Sequence, residues 1–277
     1  MVKGVFGVRN RMSNSTVFLL ILLAISTAAY GQDSTANNAN ELAKKLSNPV
    51  ASLISVPFQN NWHFNVGAYK GTQYLLNFQP VIPISLDENW NLIARVIVPF
   101  VNQPLSGGDS KFGMSDILAS AFFSPAKPGD LIWGVGPVFS IPTATDDILG
   151  SGKFSIGPTI LGLTQQSGWT IGLLANQVWS IAGKDNRADV NQTFLQPFVS
   201  YGAWKGGTLS FNTEAAANWK ASSGEQWTVP LNISVSQILP IGGKPVSFAF
   251  GYKYFAAKPT GGPDWGLRAV VTLLFPK

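Results

Sequence analysis

From Gln226 to its final residues the chain alternates apolar and polar side chains with a period of two, in segments of roughly a dozen residues bounded by turn formers. Trp227, Val229, Leu231, Ile233 and Val235 share one face, against Thr228, Pro230, Asn232, Ser234 and Ser236 on the other. Val246, Phe248, Phe250, Tyr252 and Tyr254 repeat the stripe, and Trp265, Leu267, Ala269, Val271, Leu273 and Phe275 repeat it again. An aromatic stands at one or both ends of each. Such faces constrain the fold through their surroundings. A secreted β-sandwich has the same period, but its exposed face in bulk water is rich in Lys, Glu, Asp and Arg. Here the polar face is Asn, Gln, Ser, Thr and Gly, which suits a narrow lumen, while the girdled apolar stripe suits lipid.

Composition supports that division. Only 12% of residues are charged and 45% are hydrophobic, against about a quarter charged in an ordinary soluble domain. The 28 Gly and 18 Pro supply turns, and the 9 Trp and 18 Phe supply interfacial aromatics. The absence of cysteine fits passage through an oxidising compartment without wrong disulfides. At the start, Lys3, Arg9 and Arg11 precede an uncharged stretch, Val17 to Ile25, and a small-residue exit at Ala29-Tyr30-Gly31. That is the layout of a cleaved export signal over residues 1-31, with the mature chain beginning at Gln32. Its apolar stretch is shorter than the ~20 residues of a spanning helix, and no later segment reaches that length. Without the signal, 16 basic residues face 14 acidic ones, which leaves no nucleic-acid footprint.

Residues 32-49 are polar, with a short helical signal from Asn40 to Leu46 in which Leu42 and Leu46 share a face and Asn40 is a candidate N-cap. This segment reads as a periplasmic tail or a small plug. From 50 to 277 the pattern gives an antiparallel, up-and-down transmembrane β-barrel of about twelve strands, near 50-58, 72-86, 90-102, 113-125, 131-143, 153-164, 169-182, 192-203 and 208-220 before the three clear ones. Tight turns such as Asp87-Glu88-Asn89, Gln166-Ser167-Gly168 and Ile241-Gly242-Gly243-Lys244 alternate with longer links such as Gln59 to Gly71, Gln103 to Phe112, Thr143 to Gly152 and Gly183 to Asn191. Short periplasmic turns and longer outer loops are the habit of bacterial barrels, and an even count puts both termini in the periplasm. The expected location is the outer membrane of a Gram-negative bacterium.

The stretches Asn48 to Asn60, Gln79 to Pro83, Leu195 to Tyr201, Asn218 to Ala221, Trp227 to Asn232 and Gly261 to Arg268 resemble those of outer-membrane barrels grouped under the meta-pathway of phenol degradation, often labelled transporters. The resemblance covers nearly the whole mature chain. It implies a barrel and passage of small aromatic or hydrophobic compounds; it implies no catalysis and carries no set of functional residues. The chain departs from general barrel practice in ending Leu274-Phe275-Pro276-Lys277, so that Phe275 stands in for the terminal aromatic read by barrel-assembly machinery.

Enzyme chemistry finds little purchase. The single histidine, His63, falls in the expected first outer loop beside Asn60, Asn61 and Asn65, with nothing to fix a serine near it. Gly108-Asp109-Ser110 is too short to specify a hydrolase, and Gly134-Val135-Gly136-Pro137 lacks the third glycine and helix of a dinucleotide site. Asp146-Asp147 reads as a solvated acidic loop before it reads as a calcium site. No catalytic residue, metal or cofactor is expected.

The inward face carries few charges: Arg95, Asp116, Glu214, Lys220, Lys253 and Arg268. Lys253 and Arg268 stand at similar height on neighbouring strands, with Glu214 within two strands. They form either a constriction that filters by charge or a salt-bridge cluster that fills a narrow lumen. Phe122, Phe194, Phe198 and Phe255 fall on the same side. The resulting reading is a channel for small uncharged or hydrophobic, including aromatic, solutes, with outer-membrane lipid, the solute and the assembly machinery as partners. The alternative is a non-conducting structural or adhesion barrel whose outer loops bind a partner.

Overall fold

The computed structural model describes residues 33–276; the export signal and its cleavage point lie outside them. Twelve strands form one closed antiparallel barrel in which each strand pairs with its sequence neighbours and the last returns to the first. They are β1 (Ile54–Val66), β2 (Gly71–Phe78 and Val81–Ser85), β3 (Trp90–Pro104), β4 (Ser110–Met114 and Ile117–Pro125), β5 (Ile132–Ile141) and β6 (Lys153–Gln166). The second half comprises β7 (Trp169–Gly183), β8 (Asn191–Trp204), β9 (Gly207–Thr213 and Ala215–Asn218), β10 (Trp227–Ile241), β11 (Lys244–Ala257) and β12 (Trp265–Phe275). Closure leaves no unpaired sheet edge, which a lipid environment requires.

Three strands are interrupted, for different reasons. In β2 the break falls at Gln79-Pro80, and the register on either side is unchanged. In β9 it falls at Glu214, which the register sets opposite Pro230, a residue with no amide hydrogen to give. In β4 the register against β3 shifts by one residue between Met114 and Ile117, so Ser115-Asp116 is a true bulge.

Turn chemistry sets the periplasmic end. Ser167 and Gly168 both have positive φ (51° and 83°), as do Gly242 and Gly243 (56° and 76°), the conformation of a two-residue hairpin turn. Asp87 Oδ1 accepts from the backbone N–H groups of Asn89 and Trp90, at 2.7 and 2.8 Å. Residues 142–152, 184–190, 219–226 and 258–264 make the longer outer connections.

The outward face carries the apolar stripe, with Ile171, Ile233, Val235, Phe248 and Phe250 exposed. Aromatic pairs ring both ends. Phe64 stacks on Trp265 with centroids 4.1 Å apart, and Trp219 meets Trp227 edge-on near the outer rim. Trp169–Tyr201 and Trp90–Trp133 mark the periplasmic rim. These are the two girdles of a membrane barrel.

Two expectations about the N-terminal part are corrected. The first strand runs over Ile54–Val66, not 50-58, so the expected outer loop from Gln59 to Gly71 shrinks to residues 67–70. The reason is that Gln59, Asn60, Asn61, His63 and Asn65 make the strand polar on both faces. The outward Asn60 is satisfied there by the Tyr74 hydroxyl at 2.7 Å and by donation to the carbonyls of Phe58 and Ala269. Secondly, the helical segment, here α1, spans Asp33–Leu46, and Asn40 lies inside it, not at its N-cap. Asn40 Oδ1 accepts instead from the backbone N–H of Gly206, in the β8–β9 turn, at 2.7 Å. Leu42 and Ala43 pack with Leu53, Ile238 and Leu274 at the periplasmic end of the inner wall, with Leu46 against them. Gln165 Nε2 donates to the Lys44 carbonyl at 2.8 Å.

Candidate functional site

Because side chains alternate across each strand, the inner wall can be read strand by strand, and it divides into two regions. From β3 to β8 it holds an apolar cluster near the short turns, with Thr159, Ser155 and Lys153 buried further along β6. Ile93, Phe122, Leu161, Leu163 and Leu174 are fully buried there and pack with Val50, the residue that leads α1 into the barrel. Phe194 and Phe198 lie against this cluster. A set of this kind needs no polar partner and excludes water by packing alone.

From β9 through β12 to β2 the wall is polar and charged. Glu214 accepts both terminal nitrogens of Arg268, at 2.8 and 2.7 Å, in a bidentate fork. The same carboxylate accepts Lys253 Nζ at 3.2 Å. Arg268 Nε donates to Asn61 Oδ1 at 2.8 Å, and Asn61 Nδ2 donates to the Leu75 carbonyl at 3.2 Å. Lys253 and Asn61 are buried, and the Arg268 side chain is 11% exposed. One carboxylate thus holds two cations, and the triad keeps a single excess positive charge. Two further inward cations stand apart: Arg95 reaches Gln79 Oε1 at 3.2 Å, and Lys153 pairs with Asp189 at 3.3 Å.

The six charges expected on the inner wall therefore separate. Glu214, Lys253 and Arg268 form one cluster, closer than height alone indicated. Arg95 faces inward apart from it. Asp116 sits in the β4 bulge and fastens the 142–152 loop: it accepts from the backbone N–H of Ala144 at 3.2 Å and from both the N–H and hydroxyl of Ser151 at 2.7 Å. Lys220 is not on the wall. The strand ends at Asn218, whose Oδ1 accepts the Lys220 N–H at 3.1 Å, and this turn leaves Lys220 exposed in the outer loop. All four expected aromatics face inward: Phe122, Phe194 and Phe198 in the apolar region, Phe255 edge-on to His63 at 5.4 Å.

His63 overturns its expected place in a solvated loop. It is 8% exposed, in β1, pointing into the barrel. Its Nδ1 meets Gln73 Oε1 at 2.9 Å, and no serine is among its hydrogen-bond partners in the described residues. The polar sequence around it hid a strand. A signal was nonetheless present: Asn61 and His63 are two residues apart, the spacing of one strand face.

The outer loops are pinned by ion pairs. Lys111 meets Asp146 and Lys184 meets Asp147, each at 2.6 Å, so the Asp146-Asp147 pair is divided between two lysines. Arg187 donates to the carbonyls of Asp147 and Gly150 at 2.8 and 2.5 Å. Lys258 pairs with Asp264, which also accepts from Asn65 at 2.8 Å. The lysine hydrogen bonds hold the carboxyls of Asp146, Asp147 and Asp264 below the usual range. Among the described residues no group of three or more His, Cys, Asp or Glu is arranged to hold a metal ion.

No family model and no curated protein matches the chain. Solved structures do. The COG4313 outer membrane channel from Pseudomonas putida F1 is similar over 80% of this chain and 94% of its own, with a TM-score of 0.62 and 13% identity. The NanC porin is similar over 81% of this chain and 100% of its own, with a TM-score of 0.54 and 9% identity. The shared feature is the fold, an outer-membrane barrel of the type found among channels and porins of Gram-negative bacteria.

Proposed function

We propose that the chain is an outer-membrane channel for small uncharged or hydrophobic solutes, aromatic ones included. The observation that carries this reading is the Glu214 fork. It ties up Arg268 and Lys253, so the wall offers little free charge to bind or steer an ion, while Phe194 and Phe198 present a partly buried apolar surface on the opposite side, backed by Phe122. The Leu42–Leu53–Ile238–Leu274 contact supports reading α1 as a plug for the periplasmic mouth over a loose tail. A cleaved signal over residues 1-31, assembly through the barrel-insertion machinery by way of Phe275, and kinship with the phenol-degradation barrels complete the reading. The channels and porins that share the fold support a transport role over a purely structural one.

Planar-bilayer recording tests it. The expected result is a small conductance with weak anion preference, from the one excess positive charge of the triad together with Arg95. Silence of the wild-type protein, together with silence after removal of residues 37–46, contradicts a channel and favours the partner-binding alternative.

A further inference from the structure

Strand register sets one row of inward positions running sideways around the polar wall: Asn212, Asn232, Lys253, Gly266, His63 and Gln73, each the direct partner of the next. Two buried acceptors in this row lack a hydrogen-bond partner among the described residues, Asn232 Oδ1 and His63 Nε2. Between them stand Lys253 and Gly266. Glycine is what lets the imidazole lie directly against the wall, since a Cβ there would sit 2.6 Å from the Trp62 carbonyl oxygen and 3.1 Å from His63 Cδ2.

The protonation of His63 follows from a chain of amides. The Pro104 carbonyl can only accept, so Gln103 turns Nε2 toward it, at 3.4 Å. Gln103 Oε1 then accepts Gln73 Nε2 at 2.6 Å. Gln73 is left with Oε1 toward the ring, and His63 must donate from Nδ1 at 2.9 Å. In the neutral ring Nε2 is therefore an acceptor buried in the inner wall without a hydrogen-bond partner among the described residues, and the Phe255 ring packs T-shaped on the imidazole at 5.4 Å. A buried acceptor left unpaired forfeits the hydrogen bond it had in water, and a partner that satisfies it recovers that cost.

We infer that His63 Nε2, with Asn232 Oδ1 along the same row, is a binding site for a neutral solute that donates an O–H or N–H hydrogen bond. This rests on the channel reading for the solute's access to the lumen. A halide or a simple carboxylate has no hydrogen to donate, and a cation meets Lys253 and Arg268 nearby. A neutral donor satisfies the acceptor without adding charge. The row thus selects among uncharged solutes, preferring an alcohol or amide to the ether or hydrocarbon of the same shape.

The chain's one histidine makes the site directly observable. Nitrogen NMR of the full-length folded barrel, carrying isotopically labelled histidine, should show a proton on Nδ1 and none on Nε2. Benzyl alcohol should shift the Nε2 resonance saturably, benzyl methyl ether should not, and Gln73→Leu should abolish the Nδ1–H preference in a barrel that still migrates as folded on unboiled gels. A proton resident on Nε2, or equal responses to the alcohol and the ether, overturns the site; an Nε2 signal unmoved by both means that water alone occupies it and overturns it equally. Solute-flux measurements separate this from the channel reading. Flux with no Nε2 response sinks the site alone, and an Nε2 response without flux keeps the site and sinks the channel.

Discussion

The two regions of the inner wall solve the same problem by opposite means. On the β3–β8 side, Phe122, Leu163 and Leu174 bury apolar surface against one another and against Val50. On the other side, Glu214, Arg268, Lys253 and Asn61 bury charge and amide groups and satisfy them internally. The first arrangement is locally forgiving, because each side chain contributes separately. The second is collective: each member's cost is covered only while the others are present. On the proposed channel reading, a solute passing between them would meet an apolar surface on one side and mostly occupied polar groups on the other.

Removing one member of each region should expose this difference most strongly. Glu214→Ala leaves two buried cations without a counter-charge and should cost about 3–5 kcal/mol, while replacing all three charged residues by apolar ones of similar size should cost far less. Leu174→Ala should cost about 2–5 kcal/mol and leave ion selectivity unchanged. Urea unfolding in lipid vesicles reads both. A triple replacement as damaging as Glu214→Ala alone would break the collective account.

The outer face supplies the next contrast. Val271 points to lipid and Thr272 inward. Val271→Arg should destabilise the barrel by about 2–4 kcal/mol if it lies near the midplane, with a much smaller effect for Thr272→Arg in the same assay. Reversed effects would mean that the strand register is wrong.

A smaller effect sharpens the charge argument. Glu214→Gln keeps the side chain's shape but frees both cations, so the anion preference in bilayer recordings should rise above wild type. No change in selectivity would show that the triad does not face the conducting path. The smallest effect belongs to the outer loops. Asp146, Asp147 and Asp264 have carboxyls held low by lysine hydrogen bonds, so their contribution is complete above the ordinary aspartate value of about 3.9 and is lost as pH falls through the lowered folded values. Hydrogen exchange of the 142–152 and 258–264 amides should therefore accelerate on strong acidification, with the barrel amides unchanged.

What the sequence disclosed and what it concealed follow from the same alternation. β10, β11 and β12 were legible because lipid and lumen impose different residue types on their two faces. β1 was hidden because Asn60 puts a polar group on the lipid side, where Tyr74 satisfies it from the next strand. Inward direction was legible for Glu214, Lys253 and Arg268, but their contact depends on register across β9 to β12, which no single strand contains. Lys220 was misplaced because a side-chain turn at Asn218 ended its strand two residues early. The His63 amide chain joins β1, β2 and β3, so it too was invisible along one segment.

On the proposed reading the two walls together admit neutral solutes and offer ions little. Gram-negative cells lacking their major porins and expressing the barrel test it directly, by comparing entry of a neutral fluorescent arylamine with periplasmic hydrolysis of an anionic β-lactam. The account predicts faster arylamine entry with β-lactam hydrolysis near the background rate, and loss of that gain in a folded variant with Phe122 and Phe198 changed to Asn. Rapid β-lactam hydrolysis with no gain in arylamine entry would contradict it.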